Sequence, residues 1–285
     1  MDDIGAMQMI DVQVHAYERN HPRRPWQGTL SGPDEMTGEQ MVMAFDHEGV
    51  GGAILVSPYS FYRYDPDYAL QVYQHYPDRF RLVKPFDPTL DDIEEDIQAW
   101  AAQDGVVGGR VMLSPPLGDP YAPGIGRILE GCRRANLAVN LLSWHKPSMI
   151  GDLAMRHPDV QLIVDHLGIT QPFEPPVPDE PFATLKDVLA LARFDNVAIK
   201  ISGVCTLSQR SFPFDDIWKP VLKTIEAFGL GRCMWGTDWT RAIKLVNFHD
   251  AVAAFRDTDR LSVGDKEALM GGSLRNIYRC PDFCL

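Results

Sequence analysis

Eight short runs of apolar and β-branched residues, most of them followed by an amphipathic stretch, restrict this chain to few folds. They occupy residues 9–15, 52–58, 81–88, 109–115, 138–144, 161–167, 197–202 and 233–239. Segments with helical periodicity lie between most of them, as at 91–102, 124–135, 183–193 and 218–228. Parallel strands need a long crossover, and a helix supplies it, so strand–helix alternation predicts a parallel sheet. Eight such units close naturally into a (β/α)8 TIM barrel with its active site at the C-terminal ends of the strands. An open doubly wound sheet is the alternative, but its glycine-rich first turn is missing after the first run. At 285 residues the chain has the length of one such barrel, so residues 1–285 read as a single domain.

The formal net charge of −12 argues against a nucleic-acid or anionic-membrane surface, both of which need clustered Lys and Arg. A few cations inside a cleft would still accommodate an anionic substrate, because distant surface charge is screened. The five cysteines are scattered without a C-x-x-C pair, as expected of a reduced, cytoplasmic protein. The first residues show no signal-peptide pattern, and no apolar run reaches the roughly 18 residues of a membrane span.

Three non-helical stretches follow strands. They are 19–38, rich in Pro, Gly and Arg; 57–67, rich in Tyr; and 170–181, with five prolines. In a barrel all three would crown the C-terminal face and wall a pocket there. Strand parity places Asp11, Gln13 and His15 on one face of the first strand. It places Val164 and His166 on one face of the sixth, with Asp165 pointing away, and Asp238 with Gly236 in the eighth. Three polar strand ends, His15, His166 and Asp238, therefore converge above the barrel core. Burying them together without a shared purpose would cost desolvation energy.

The stretches 10–15 (IDVQVH), 164–168 (VDHLG), 196–203 (NVAIKISG) and 232–239 (RCMWGTDW) resemble signature segments of the amidohydrolase superfamily. The resemblance is greatest to its amidohydrolase-2 branch, which includes pyrone-dicarboxylate lactonase and sugar-acid lactonases, and extends to 269–272 (LMGG). It implies hydrolysis at a carbonyl, with Asp238 as general base and His15, His166 and Gln13 polarising the carbonyl. It implies, too, a first strand ending in D-x-H-x-H, whose histidines can hold a metal. Here Gln13 replaces the first of them, and an amide oxygen is a poor ligand for Zn²⁺. The fifth strand, a further source of ligands in such proteins, ends here in Trp144, with His145 on the opposite parity.

The expectation is catalysis that requires no cofactor. The alternative is a single Zn²⁺ or Mn²⁺ ion held by His15, His166 and Asp238. A metal-dependent decarboxylase or carbon–carbon hydrolase, and a decayed small-molecule binding protein, are the competing functions.

Lys84, Arg110 and Lys200 occupy strand positions flanked by lumen candidates, while Arg63 and Arg241 follow the second and eighth strands. Together they predict a small anionic, carboxylated substrate. The plainer alternative pairs Lys84 and Arg110 with Asp11 or Asp87 inside the barrel. Tyr59, Tyr62 and Trp144 are candidate pocket walls, with Trp239 as a further one. A homodimer is the default assembly for such an enzyme.

Overall fold

Valine, isoleucine and leucine dominate the strand runs without a polar alternation, the pattern of strands covered on both faces. The computed structural model, which describes residues 8–113, 121–144 and 146–283, places them in one sheet of eight strands. These are β1 (Met9–Val14), β2 (Val50–Val56), β3 (Phe80–Pro85) and β4 (Val106–Met112). β5 (Ala138–Leu142), β6 (Leu162–Val164), β7 (Val197–Ser202) and β8 (Cys233–Gly236) complete it. All neighbours pair in parallel and in chain order.

Each strand is followed by a helix: α1 (Gly38–Glu48), α2 (Asp67–His75), α3 (Ile93–Ala101) and α4 (Pro123–Arg134). Then come α5 (Ser148–Arg156), α6 (Leu185–Leu189), α7 (Trp218–Phe228) and α8 (Phe248–Arg256). Local chemistry sets their ends. Thr37 and Gln40 form a capping box at the start of α1, and Gly49 ends it at φ 72°. Pro123 opens α4, where its missing N–H goes unmissed.

The seam between β8 and β1 is drawn shut by specific bonds. Asp238 donates its backbone N–H to the Gln13 carbonyl at 3.0 Å. The buried Asp11 carboxylate accepts from the Thr237 backbone and hydroxyl across the same gap. A Cβ on Gly236 would come within 2.9 Å of Asp11 Oδ1 and Val12, so a glycine lets the strands approach.

Two apolar layers result. One joins outward strand residues such as Leu55, Leu82 and Ile199 to the helices through Phe45, Ile97 and Ile128. The other fills the lumen with Ile10, Ile54, Val83, Ile163, Ala198 and Met234. Leu274, Ile277, Tyr278 and Phe283 from the last segment belong to that inner layer and close the end where strands begin. No helix among the described residues is long and apolar enough to cross a membrane. Cys132, Cys205, Cys233 and Cys280 are buried free thiols, and Cys284 lies outside the described residues.

Candidate active site

The polar groups gather at the opposite end of the lumen, where the strands finish. β6 runs for only three residues, because the chain turns left-handed at His166 (φ 52°), Leu167 (φ 58°) and Gly168 (φ 61°). That turn defeats simple parity. Asp165 and His166 both enter the interior, and Asp165, expected to face away, becomes the hub of a buried ion cluster. Arg110 Nε donates to its Oδ2 at 2.7 Å, and the Lys200 ammonium lies 3.1 Å from Oδ1. Burial alone would raise the Asp165 carboxyl, but Lys200 and Arg110 outweigh it and hold it well below the usual carboxylate range. Burial lowers Lys200 to about 8, with Asp165 opposing the shift.

Asp238 follows β8, again in a left-handed conformation (φ 49°). Its Oδ1 lies 3.4 Å from His15 Nε2 and its Oδ2 lies 3.4 Å from His166 Nδ1. The predicted trio is therefore brought together. Arg241 Nε also donates to Oδ2. Burial pushes the Asp238 carboxyl up, but the neighbouring His166, Arg241 and His15 together hold it below the carboxylate range. His166 is itself lowered to about 3 by burial, although Asp238 and Asp165 pull the other way. At neutral pH His166 is thus uncharged, and the permanently charged Arg241 keeps Asp238 ionised. Asp238 Oδ1 accepts no hydrogen bond among the described residues. Asp238 is wholly buried and does not line the cavity, whereas its neighbours His15, His166 and Arg241 do.

Donor chemistry fixes the imidazoles. Arg110 Nη2 donates to His166 Nε2 at 3.3 Å, which leaves His166 Nδ1–H to donate to Ser202 Oγ at 3.0 Å. The Gln13 amide nitrogen lies 3.2 Å from His15 Nε2, and His15 Nδ1 meets the Val56 carbonyl at 2.7 Å. Gln171 was not singled out in the sequence. Buried, it accepts from Arg241 and donates to the Ser202 carbonyl at 2.9 Å, tying the loop after β6 to β7 and β8. Nothing in its proline-rich surroundings marked it.

The cavity above this floor holds about 400 Å³ of empty space including its mouth. Leu30, Tyr59 and Phe173 wall it, one from each of the three post-strand stretches, along with Trp144. Of the predicted substrate cations, Arg110 and Arg241 line this cavity. Arg110 Nη1 bonds to no described residue, whereas Arg241 also serves the Pro172 carbonyl at 3.0 Å.

The others are corrected. Lys84 shares the outward parity of Leu82 in β3, and its ammonium pairs with Asp96 of α3 at 2.6 Å, so it belongs to the helix layer. Arg63 donates to the Tyr59 and Gln27 carbonyls at 3.0 Å and braces its loop from outside the cavity lining. Tyr62 is buried, its hydroxyl accepting the Glu18 N–H, and also lies outside the lining. Trp239 packs on Phe248 of α8 at 5.4 Å between ring centroids instead of facing the cavity. Lys200 sits beneath the floor without reaching the cavity, bonded to Gln13 and Asp165.

These donors do not suit a divalent ion. The Nε2 atoms of both histidines face N–H donors, from Gln13 and Arg110. Two guanidinium groups border Asp238 and His166, where a further cation would be repelled. Among the described residues no group of three or more His, Cys, Asp or Glu is arranged to hold a metal. His145 lies outside the described residues.

The family model described as Amidohydrolase matches residues 10–279. An L-fucono-1,5-lactonase of Burkholderia multivorans is 29% identical over 136 residues, 45% of this chain and 46% of that protein. The chain thus spans about half the length of the curated relatives it first matches. Among solved structures, a probable 2-pyrone-4,6-dicarboxylic acid hydrolase of Acinetobacter baumannii, with citric acid bound, is 21% identical. It covers 96% of this chain and 100% of its own at a TM-score of 0.74. An amidohydrolase of Burkholderia multivorans with bound Zn gives a TM-score of 0.80 at 18% identity, over 95% of this chain and 99% of its own. At these identities the two structures speak for a shared barrel fold.

Proposed function

The chain belongs to the amidohydrolase family, and from that premise we propose that it hydrolyses a lactone carrying a carboxylate. The observation that carries this reading is the buried, ionised Asp238. Its Oδ1 has no hydrogen-bond donor among the described residues and lies 3.4 Å from His15 Nε2 at the cavity floor. A carboxylate oxygen left open in this way is suited to accept a proton from water. His15, the cavity-lining member of the pair, is the one that water in the cavity meets.

In this reaction the water oxygen adds to the lactone carbonyl while its proton passes to the Asp238–His15 pair. The tetrahedral oxyanion is held by Arg241. Collapse breaks the ring C–O bond, and the same proton returns to the departing alkoxide, leaving a hydroxy acid and a regenerated site. Arg110 takes the substrate carboxylate through Nη1, and the burial of that guanidinium strengthens the contact. The polarising role first expected of the histidines thus falls to the arginines, since both imidazoles direct their Nδ1–H into the protein. The lactone-related names among the relatives support this choice of substrate class.

The test is a panel of lactones with and without a carboxylate, assayed with the wild type and Arg110→Met, each with and without a chelator. We expect carboxylated lactones to be preferred, turnover to survive chelation, and Arg110→Met to raise KM about 10–100-fold for the carboxylated members alone. Absence of lactone hydrolysis, or turnover that requires a metal, would overturn the proposal.

A further inference from the structure

A lysine with no solvent exposure is costly unless its charge is used, since an ammonium is strongly hydrated in the unfolded chain. Lys200 is such a residue. It rises from β7 into the lumen with no measurable exposure, over the Tyr278 ring at 5.9 Å. Neutralising Asp165 does not by itself account for it, because Arg110 already pairs with that carboxylate at 2.7 Å. The two cations share one carboxylate, and the second makes a further contact: Lys200 Nζ donates to Gln13 Oε1 at 2.7 Å.

That contact has a directional consequence. An ammonium has three donors and no acceptor, so the oxygen end of the Gln13 amide must face Lys200. The NH₂ end must then face His15, where Nε2 lies 3.2 Å away. An amide N–H needs an acceptor, so His15 Nε2 carries the lone pair and Nδ1 carries the proton. The Val56 carbonyl, 2.7 Å from Nδ1, receives that proton's hydrogen bond. The chain of bonds runs one way, from Lys200 through Gln13 to His15 and Val56, and reversing the Gln13 amide would break two of its links.

We propose that Lys200 is a positioning residue that fixes the orientation of the Gln13 amide and so keeps His15 Nε2 unprotonated, completing the Nδ1–H tautomer whose other nitrogen the Val56 carbonyl holds. Its use in catalysis rests on the lactonase reading, in which His15 Nε2 shares the proton accepted by Asp238. The tautomer itself does not depend on that reading. Arg110 performs the corresponding task for His166 from the neighbouring side, donating to Nε2. Both imidazoles are thereby oriented by cations instead of by carboxylates.

The experiment is a two-bond ¹H–¹⁵N spectrum of histidine-labelled protein, comparing wild type with Lys200→Met. In the wild type, His15 should show a protonated Nδ1 and an unprotonated Nε2. In Lys200→Met the Gln13 amide is released and can turn its oxygen to His15, so Nε2 should gain a proton, fully or in an exchanging mixture, while Nδ1–H stays on the Val56 carbonyl. On the lactonase reading kcat should fall about 10–100-fold with KM changed less than threefold. A folded Lys200→Met with an unchanged His15 tautomer would refute the inference. Should that variant not fold, Gln13→Leu removes the same N–H while leaving the ammonium on Asp165. It should release the tautomer too, and an unchanged His15 signal there refutes the inference equally. If the tautomer shifts as expected but no lactone is hydrolysed by the wild type, Lys200 retains this role and the assigned reaction is the part that fails.

Discussion

The two ends of the barrel lumen are built from the same eight strands yet obey opposite rules. Where the strands begin, Ile10, Ile163 and Met234 meet Leu274 and Phe283 in an apolar plug. Where they end, Arg110, Lys200 and Arg241 face Asp165 and Asp238 with almost no solvent exposure. The plug tolerates small changes of shape, because apolar contacts are non-directional and numerous. The charged floor tolerates very little, because each group's cost of burial is offset by one or two named partners. The contrast teaches that the lower half spreads its stability over many interchangeable contacts, whereas the upper half rests on a few named pairs.

The largest expected effect lies in the upper half. Asp238→Asn should lower kcat by a thousandfold or more, about 4 kcal/mol of transition-state stabilisation, while the far-UV spectrum is unchanged. Turnover near the wild-type level would remove Asp238 as the base. Next, two neighbours on the β6 segment set the two ends against each other. Asp165→Leu strands Arg110 and Lys200 without a counter-ion and should cost about 3–5 kcal/mol in urea unfolding. Ile163→Val in the plug should cost about 1 kcal/mol. Equal losses would erase the distinction between the halves.

A third effect is the absence of a titration at His166 in mild acid. Asp238 is held below the carboxylate range and His166 is lowered to about 3, so both keep their neutral-pH states in mild acid. A lowered carboxyl stays ionised and a lowered imidazole stays uncharged as pH falls. We therefore expect the His166 ring signals in ¹H–¹⁵N spectra to show no titration between about pH 5 and pH 7, and an inflection there would contradict the assignment. The smallest effect is Lys84→Met, which should leave KM within twofold of wild type and cost about 1 kcal/mol or less, since the Asp96 partner is partly exposed. A large rise in KM would return Lys84 to the substrate site.

Much of this architecture is legible in the sequence, because burial on both faces writes a continuous apolar run for each strand. The run at 197–202 coincides with β7, and the 218–228 periodicity coincides with α7 (Trp218–Phe228). The conjunction of His15, His166 and Asp238 was legible too, as polar residues closing apolar runs. What parity missed came from backbone that stops being a strand. β6 ends at Val164, and the left-handed turn after it brings Asp165 inward beside Arg110 and Lys200. Lys84 misled for a different reason. An isolated cation between apolar neighbours resembles a lumen residue, and its pairing with Asp96 needs the helix packed in place. One signal was available, since Phe80, Leu82 and Lys84 share parity and the first two belong to the helix-facing layer. Gln171 left no trace, because its contacts join three segments that only the closed barrel brings together.

The three stretches that wall the cavity touch it through Leu30, Tyr59 and Phe173, while the proton-handling groups follow the ends of β1, β6 and β8. Apart from Arg110 in β4, and from Gln171 and Pro172, which brace Arg241, cavity wall and reactive groups are thus written in separable parts of the chain. Wall residues other than that brace can change without disturbing the groups that handle protons. A scaffold divided in this way can acquire new substrates by inheriting an intact reaction centre, and a library that randomises only those walls would explore specificity while leaving the chemistry constant.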